Sequence, residues 1–77
     1  MLFTANKYTV NEWVNNIYQG YIEPEDIEPE SLNTIYIGCL KERFHEEISG
    51  LNKMDYCPKL TMTINKLERY IINRLSN

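Results

Sequence analysis

Apolar side chains recur with a helical period in three stretches of the chain, separated by short segments rich in glycine, proline and acidic residues. In the first stretch Val10, Trp13, Val14, Ile17, Tyr18 and Tyr21 follow the i, i+3, i+4, i+7 spacing and cover an arc of about 140°. Thr9-Val10-Asn11-Glu12 has the form of a capping box, in which the threonine hydroxyl accepts the backbone N–H three residues on and the glutamate carboxylate reaches back. Tyr8 and Trp13 stand where a hydrophobic staple would, and Gly20 is the expected stop.

The second stretch follows two prolines. Pro24 and Pro29 each suit the first turn of a helix, where a missing N–H removes no bond, and each precedes carboxylates that favour the positive end of the helix dipole. Residues 24–27 therefore predict a single turn, and a long helix is expected from Pro29 to a stop at Gly50. On that helix Leu32, Ile35, Tyr36 and Cys39 cluster on one side, whereas Ile37, Leu40, Phe44 and Ile48 lie roughly 80–160° around from Leu32. The combined apolar arc of about 220° is too wide for contact with one neighbour. It predicts two neighbours, or one neighbour and a partner chain.

Residues 51–57 read as a connection, with Asp55 as a candidate cap and Pro58 inside the first turn of a third helix. Leu60, Ile64, Leu67, Ile71 and Leu75 then form a narrow stripe within about 80°, like the seam of a coiled coil. The alternation of Leu60, Met62 and Ile64 around Thr61 and Thr63 would also suit a strand, but the longer series favours the helix. Leu2 to Ala5 reads as either an extended strap packed across the bundle or a disordered arm. No internal repeat and no Gly/Ser linker interrupts the chain. The expectation is one all-α domain over residues 1–77: a small bundle of three principal helices, near 10–20, 29–49 and 58–75, with a short acidic turn between the first two.

Charge sharpens this picture. The formal net charge of −3 argues against a general binder of polyanions. It is unevenly spread, because Glu23, Glu25, Asp26, Glu28 and Glu30 fall within eight residues without a base, while the rest of the chain has eight bases to six acids. Three readings fit the run: helix amino-terminal carboxylates, a docking surface for a basic partner, or mimicry of a nucleic-acid backbone. The first needs only local electrostatics and is favoured; the last would want acids over much more of the surface. A chain of 77 residues buries only roughly 60% of its unfolded surface, which leaves no room for a deep substrate cavity. There is no export-signal pattern, no apolar run near the roughly 20 residues that span a bilayer, and no lipidation box. Together with only two cysteines, Cys39 and Cys57, expected to be free buried thiols, this points to a reducing, cytoplasmic setting and no membrane.

Candidate chemistry is sparse. His45, the only histidine, shares a helical neighbourhood with Glu42, Glu46 and Glu47, but neither cysteine adds a metal-ligand spacing, so a solvated polar face is the favoured reading and no metal or cofactor is expected. Cys57 with His45 could be drawn as nucleophile and base, yet packing is the simpler role. Ser31, Ser49 and Ser76 sit at apparent helix ends, and no glycine-rich phosphate loop is present. Lys59, Lys66, Arg69 and Arg74 make the last helix basic, with Thr61, Thr63, Asn65 and Asn73 able to reach bases or phosphates, as in a recognition helix. Four cations are few for tight phosphate contact, and the acidic run opposes it.

The favoured expectation is a non-enzymatic interaction module that binds another protein, or itself as a homodimer. Its expected interface comprises Tyr18, Tyr21, Glu25, Asp26, Glu28, Ile37 and Phe44, with Tyr70 a further exposed aromatic. Nine asparagines and nine isoleucines suggest an A+T-rich source, such as a phage or mobile element whose product inhibits or modulates a host factor or defence system. The alternative is a helix-turn-helix DNA-binding transcriptional regulator using the last helix.

Overall fold

The computed structural model describes residues 2–49 and 56–76. It is an all-α bundle of three helices: α1, Val10–Gln19; α2, Pro29–Ser49; and α3, Tyr56–Ser76. The expected stop at Gly50 and cap at Asp55 lie outside the described residues. Tyr56 and Cys57, expected in the connection, belong instead to α3, whose first turn includes Pro58. Proline is tolerated there because the first turn's N–H groups have no partner within the helix.

The ends of α1 follow from local chemistry. The Thr9 hydroxyl accepts from the Glu12 N–H at 3.3 Å and the Glu12 carboxylate accepts from the Thr9 N–H at 3.0 Å. The Thr9 hydroxyl also donates to that carboxylate at 3.0 Å, and the two donors of Thr9 hold the Glu12 carboxyl below the ordinary glutamate range, the backbone N–H contributing most. Tyr8 packs edge-on against Trp13 at 5.1 Å between ring centroids, so the staple forms as well. At the other end Gly20 has φ 81°, a left-handed conformation that favours glycine, and its N–H and that of Tyr21 return to Ile17 and Asn16 carbonyls.

Between α1 and α2 the chain makes the expected acidic turn, Pro24–Asp26, a single 3-10 turn. The amino-terminal segment takes the strap form. Phe3 donates to the Asp26 carbonyl and accepts from the Glu28 N–H, both at 2.9 Å, a parallel bridge to Ile27. The Phe3 ring then meets Trp13 edge-on, and the Trp13 indole N–H donates to the Ala5 carbonyl at 2.9 Å. A buried indole needs such an acceptor, and the strap supplies it.

The core lies where the three helices converge. Trp13, Val14 and Ile17 of α1 meet Leu32, Ile35 and Cys39 of α2 and Leu60, Ile64 and Leu67 of α3, closed below by Ile22 and Ile27. Burial of each large side chain contributes roughly 1.5–3 kcal/mol. Thr63 is fully buried among them, its hydroxyl donating to the Val14 carbonyl at 3.2 Å, so it is a joint between α1 and α3 and not a residue free to reach nucleic acid. Gly38 explains itself in the same way: a Cβ there would stand 3.3 Å from Val10 Cγ2, so its absence lets α1 approach α2 closely. The narrow stripe of α3 is buried through Leu67, half-buried at Ile71 and exposed at Leu75.

Candidate functional site

The over-wide apolar arc of α2 resolves into two faces. At 100° per residue, Ile37, Phe44 and Ile48 lie within about 40° of one another and on the opposite side of the helix from Ile35, Cys39 and Glu46. That inner side packs in the bundle. The outer side does not: Ile37 is 50% exposed, Phe44 62% and Ile48 69%, with Leu40 half-buried at its edge. A second neighbouring element does not cover this face among the described residues.

The other expected interface residues stand elsewhere. Tyr18 and Tyr21 are exposed at the carboxy-terminal end of α1, Tyr18 beneath the Lys59 ammonium at 5.6 Å from the ring centroid. Tyr70 is half-buried, with the Arg74 guanidinium 5.9 Å from its centroid. In the acidic turn Glu25 and Asp26 are exposed and Glu28 is half-buried. Asp26 is engaged locally, its carboxylate accepting from the Glu23 N–H at 3.2 Å. Glu28 immediately precedes α2, its carbonyl accepting from the Leu32 N–H at 2.8 Å. Ile37 and Phe44 are thus brought onto one face, while the tyrosines and acids occupy a helix end and a turn.

Most cations of α3 are turned toward the protein itself. The Lys66 ammonium donates to the Ile17 carbonyl at 3.2 Å and pairs with the Glu23 carboxylate at 3.2 Å, fastening the end of α1, the acidic turn and α3 together. Lys59 and Arg74 rest on tyrosine rings. Arg69 alone of the four has none of these engagements among the described residues. It lies in a groove of about 530 Å³ between the acidic turn and α3.

The polar cluster around His45 departs from the solvated face expected of it. His45 and Glu47 are exposed, but Glu46 is 7% exposed and Glu42 is half-buried. Glu42 lies under the Tyr56 hydroxyl, which donates to it at 3.5 Å, and burial followed by the Glu42 and Cys39 charges raises the Tyr56 pKa. The reason is geometric: Glu42 and Glu46 are one turn apart on the side of α2 that faces the start of α3. No cluster of three metal-ligating side chains forms among the described residues.

Both cysteines are free, Cys39 buried and Cys57 half-buried. Burial, assisted by the Glu42 charge, pushes the Cys39 thiol up to about 12, which keeps it protonated and unreactive at neutral pH. Tyr36 ties α2 to α3 by donating to the Glu68 carboxylate at 2.9 Å, and this bond to an anion raises the phenol pKa. Among the described residues no helix is long and apolar enough to cross a membrane.

The chain matches no protein-family model, no curated protein and no solved structure, so its functional reading rests on its own residues.

Proposed function

We propose that this chain is a small protein-interaction module whose principal contact surface is the outer face of α2. The observation that carries the reading is the placement of Ile37, Phe44 and Ile48, half to two-thirds exposed, on the side of α2 opposite its core contacts. Large apolar side chains left half or more exposed on one helical stripe contribute little to packing among the described residues, and such patches mark binding surfaces. Phe44 at the centre of the stripe has the size and rigidity of a hot-spot residue. The asparagine- and isoleucine-rich composition links this module to a phage or mobile-element modulator that acts by binding a host protein.

The test is the solution mass together with partner retention. The wild-type chain is expected to sediment as a dimer or to hold a protein from its host, and Phe44→Glu or Ile37→Glu is expected to abolish this while leaving helicity and thermal unfolding unchanged. A strictly monomeric chain with no retained protein overturns the proposal. The DNA-binding alternative is the less favoured, because Lys66, Lys59 and Arg74 are engaged with the protein's own groups and acidic residues border Arg69.

A further inference from the structure

We infer that the outer face of α2 is covered by a second copy of this chain, whose own α2 crosses it antiparallel and sets Ile37 on the partner's Ile48 and Lys41 on the partner's Phe44. This rests on the reading of that face as the contact surface and names what occupies it. Ile37, Lys41, Phe44 and Ile48 are all exposed and succeed one another at steps of four, three and four residues, the seam spacing of a coiled coil. At 100° per residue they lie within about 60° of one another. Gly38, which meets Val10 of α1, and Tyr36, which donates to Glu68 of α3, stand about 100° to either side of the seam. The window between those two contacts has room for one further helix.

The order of residues along the seam selects a copy of itself. Steps of four, three and four read the same in both directions, so a two-fold axis midway between Lys41 and Phe44 brings every seam position onto a seam position of the partner. Isoleucine stands at both ends, which makes the outer layers apolar on apolar. The inner layers pair a cation with a ring. Lys41 meets no carboxylate or ring of its own chain among the described residues, and the face of the partner's Phe44 attracts its ammonium while its methylene stem covers the ring edge.

Charge also fixes the direction. Parallel pairing would set Lys41 beside the partner's Lys41 and bring the acidic turns of two chains, each of net charge −3, together at one end. Antiparallel pairing removes both conflicts: the two Pro29 positions lie about 40 Å apart along the axis, several screening lengths, and the helix dipoles oppose. Three large apolar side chains per copy, 50–69% exposed, make an interface at the small end of specific ones, so the pairing is reversible and depends on concentration.

Oxidative cross-linking of two chains, Ile37→Cys and Ile48→Cys, each with Cys57→Ser so that the buried Cys39 is the only other thiol, tests the pairing. The mixture is expected to give a disulfide-linked dimer and either chain alone is not, because antiparallel pairing holds like positions about 17 Å apart, beyond the reach of a disulfide. The sedimentation mass of the wild-type chain should rise toward twice the monomer between low and high micromolar concentration. Phe44→Glu should abolish the rise, Lys41→Gln should weaken it about threefold, and Arg69→Gln should leave it unchanged. Cross-linking of like positions, a dimer indifferent to Phe44→Glu, or a wild-type chain monomeric throughout overturns the inference. If that monomer retains a host protein that Phe44→Glu releases, the contact surface stands and only its occupant is wrong; if it retains nothing, both fall.

Discussion

Helices α1 and α2 are built on opposite logics. In α1 every fully buried position is apolar, Trp13, Val14 and Ile17, while Asn11, Glu12, Asn15 and Gln19 face water. In α2 the rule is broken on both sides: Glu46 is buried inside, and Ile37, Phe44 and Ile48 stand outside. The first helix is placed to hold the fold. The second spends part of its apolar surface on something other than the fold, and local violations of patterning of this kind gather at functional places. Apolar content by itself therefore says little about where a small protein is held together. What matters is which side of a helix receives it.

The largest expected difference between the two helices concerns truncation of single side chains. Ile17→Ala in α1 and Leu32→Ala on the inner side of α2 should each cost about 2–5 kcal/mol in urea unfolding, by lost burial and the cavity left behind. Phe44→Ala removes more atoms and should change stability by less than about 0.5 kcal/mol. Equal costs for Phe44→Ala and Ile17→Ala would break the comparison, because Phe44 would then be a core residue.

The contact between the two helices is sharpened at Gly38. Gly38→Leu should cost about 1–3 kcal/mol, since the 3.3 Å approach of Val10 leaves no room for a branched side chain. Gly38→Ala gains up to about 1 kcal/mol of helix propensity, which the same contact opposes; pairing it with Val10→Ala should release the gain, measurable as a coupling in a double-mutant cycle.

A smaller loss is expected where α1 meets α3. Thr63→Val keeps the shape and removes the hydroxyl donated to the Val14 carbonyl, at a cost of about 1 kcal/mol. Urea unfolding should show this loss, and Gly20→Ala should also cost about 1 kcal/mol, because alanine disfavours the left-handed conformation at φ 81°.

The smallest effect is a pH dependence confined to the start of α1. The folded-state pKa of Glu12 is depressed, so its contribution is present above the ordinary glutamate range and is lost as pH falls through the lower folded value. Carboxyl chemical shifts should show Glu12 titrating below a reference glutamate, with the difference reduced in Thr9→Ala, which removes the hydroxyl donor and keeps the backbone N–H. An unshifted Glu12 in the wild-type chain would count against the capping box in solution.

Much of this was legible along the chain. The capping box at Thr9 and Glu12, the staple of Tyr8 and Trp13, the stop at Gly20 and the turn after Pro24 depend on neighbours within about five residues, and each forms as the local chemistry requires. The exposed face of α2 was legible as an excess, since an arc of about 220° exceeds what one neighbour covers. Within it Ile37 and Phe44 were expected at an interface and are exposed, whereas the half-burial of Leu40 on the same arc depends on where the other elements sit. Glu46 and Thr63 show the same limit. Each reads as a surface residue from its type, and each is buried because another helix crosses over it, Thr63 finding its acceptor 49 positions away. The tethering of Lys66 to Glu23 and to the end of α1 likewise joins groups far apart in sequence.

The sequence by itself determined that there are three helices, where α1 starts and stops, where α2 begins, and that one of the helices is more apolar than a three-helix core can use. Those properties follow from hydrogen-bond satisfaction at helix ends and from the 3.6-residue period, which act over a few residues. Only the tertiary structure decided the rest of inside and outside: that Leu40 is half-buried beside exposed Ile37 and Phe44, that Ile48 faces water, and that Glu46 does not. Burial is a property of what packs against a residue, and its position in the chain does not contain it.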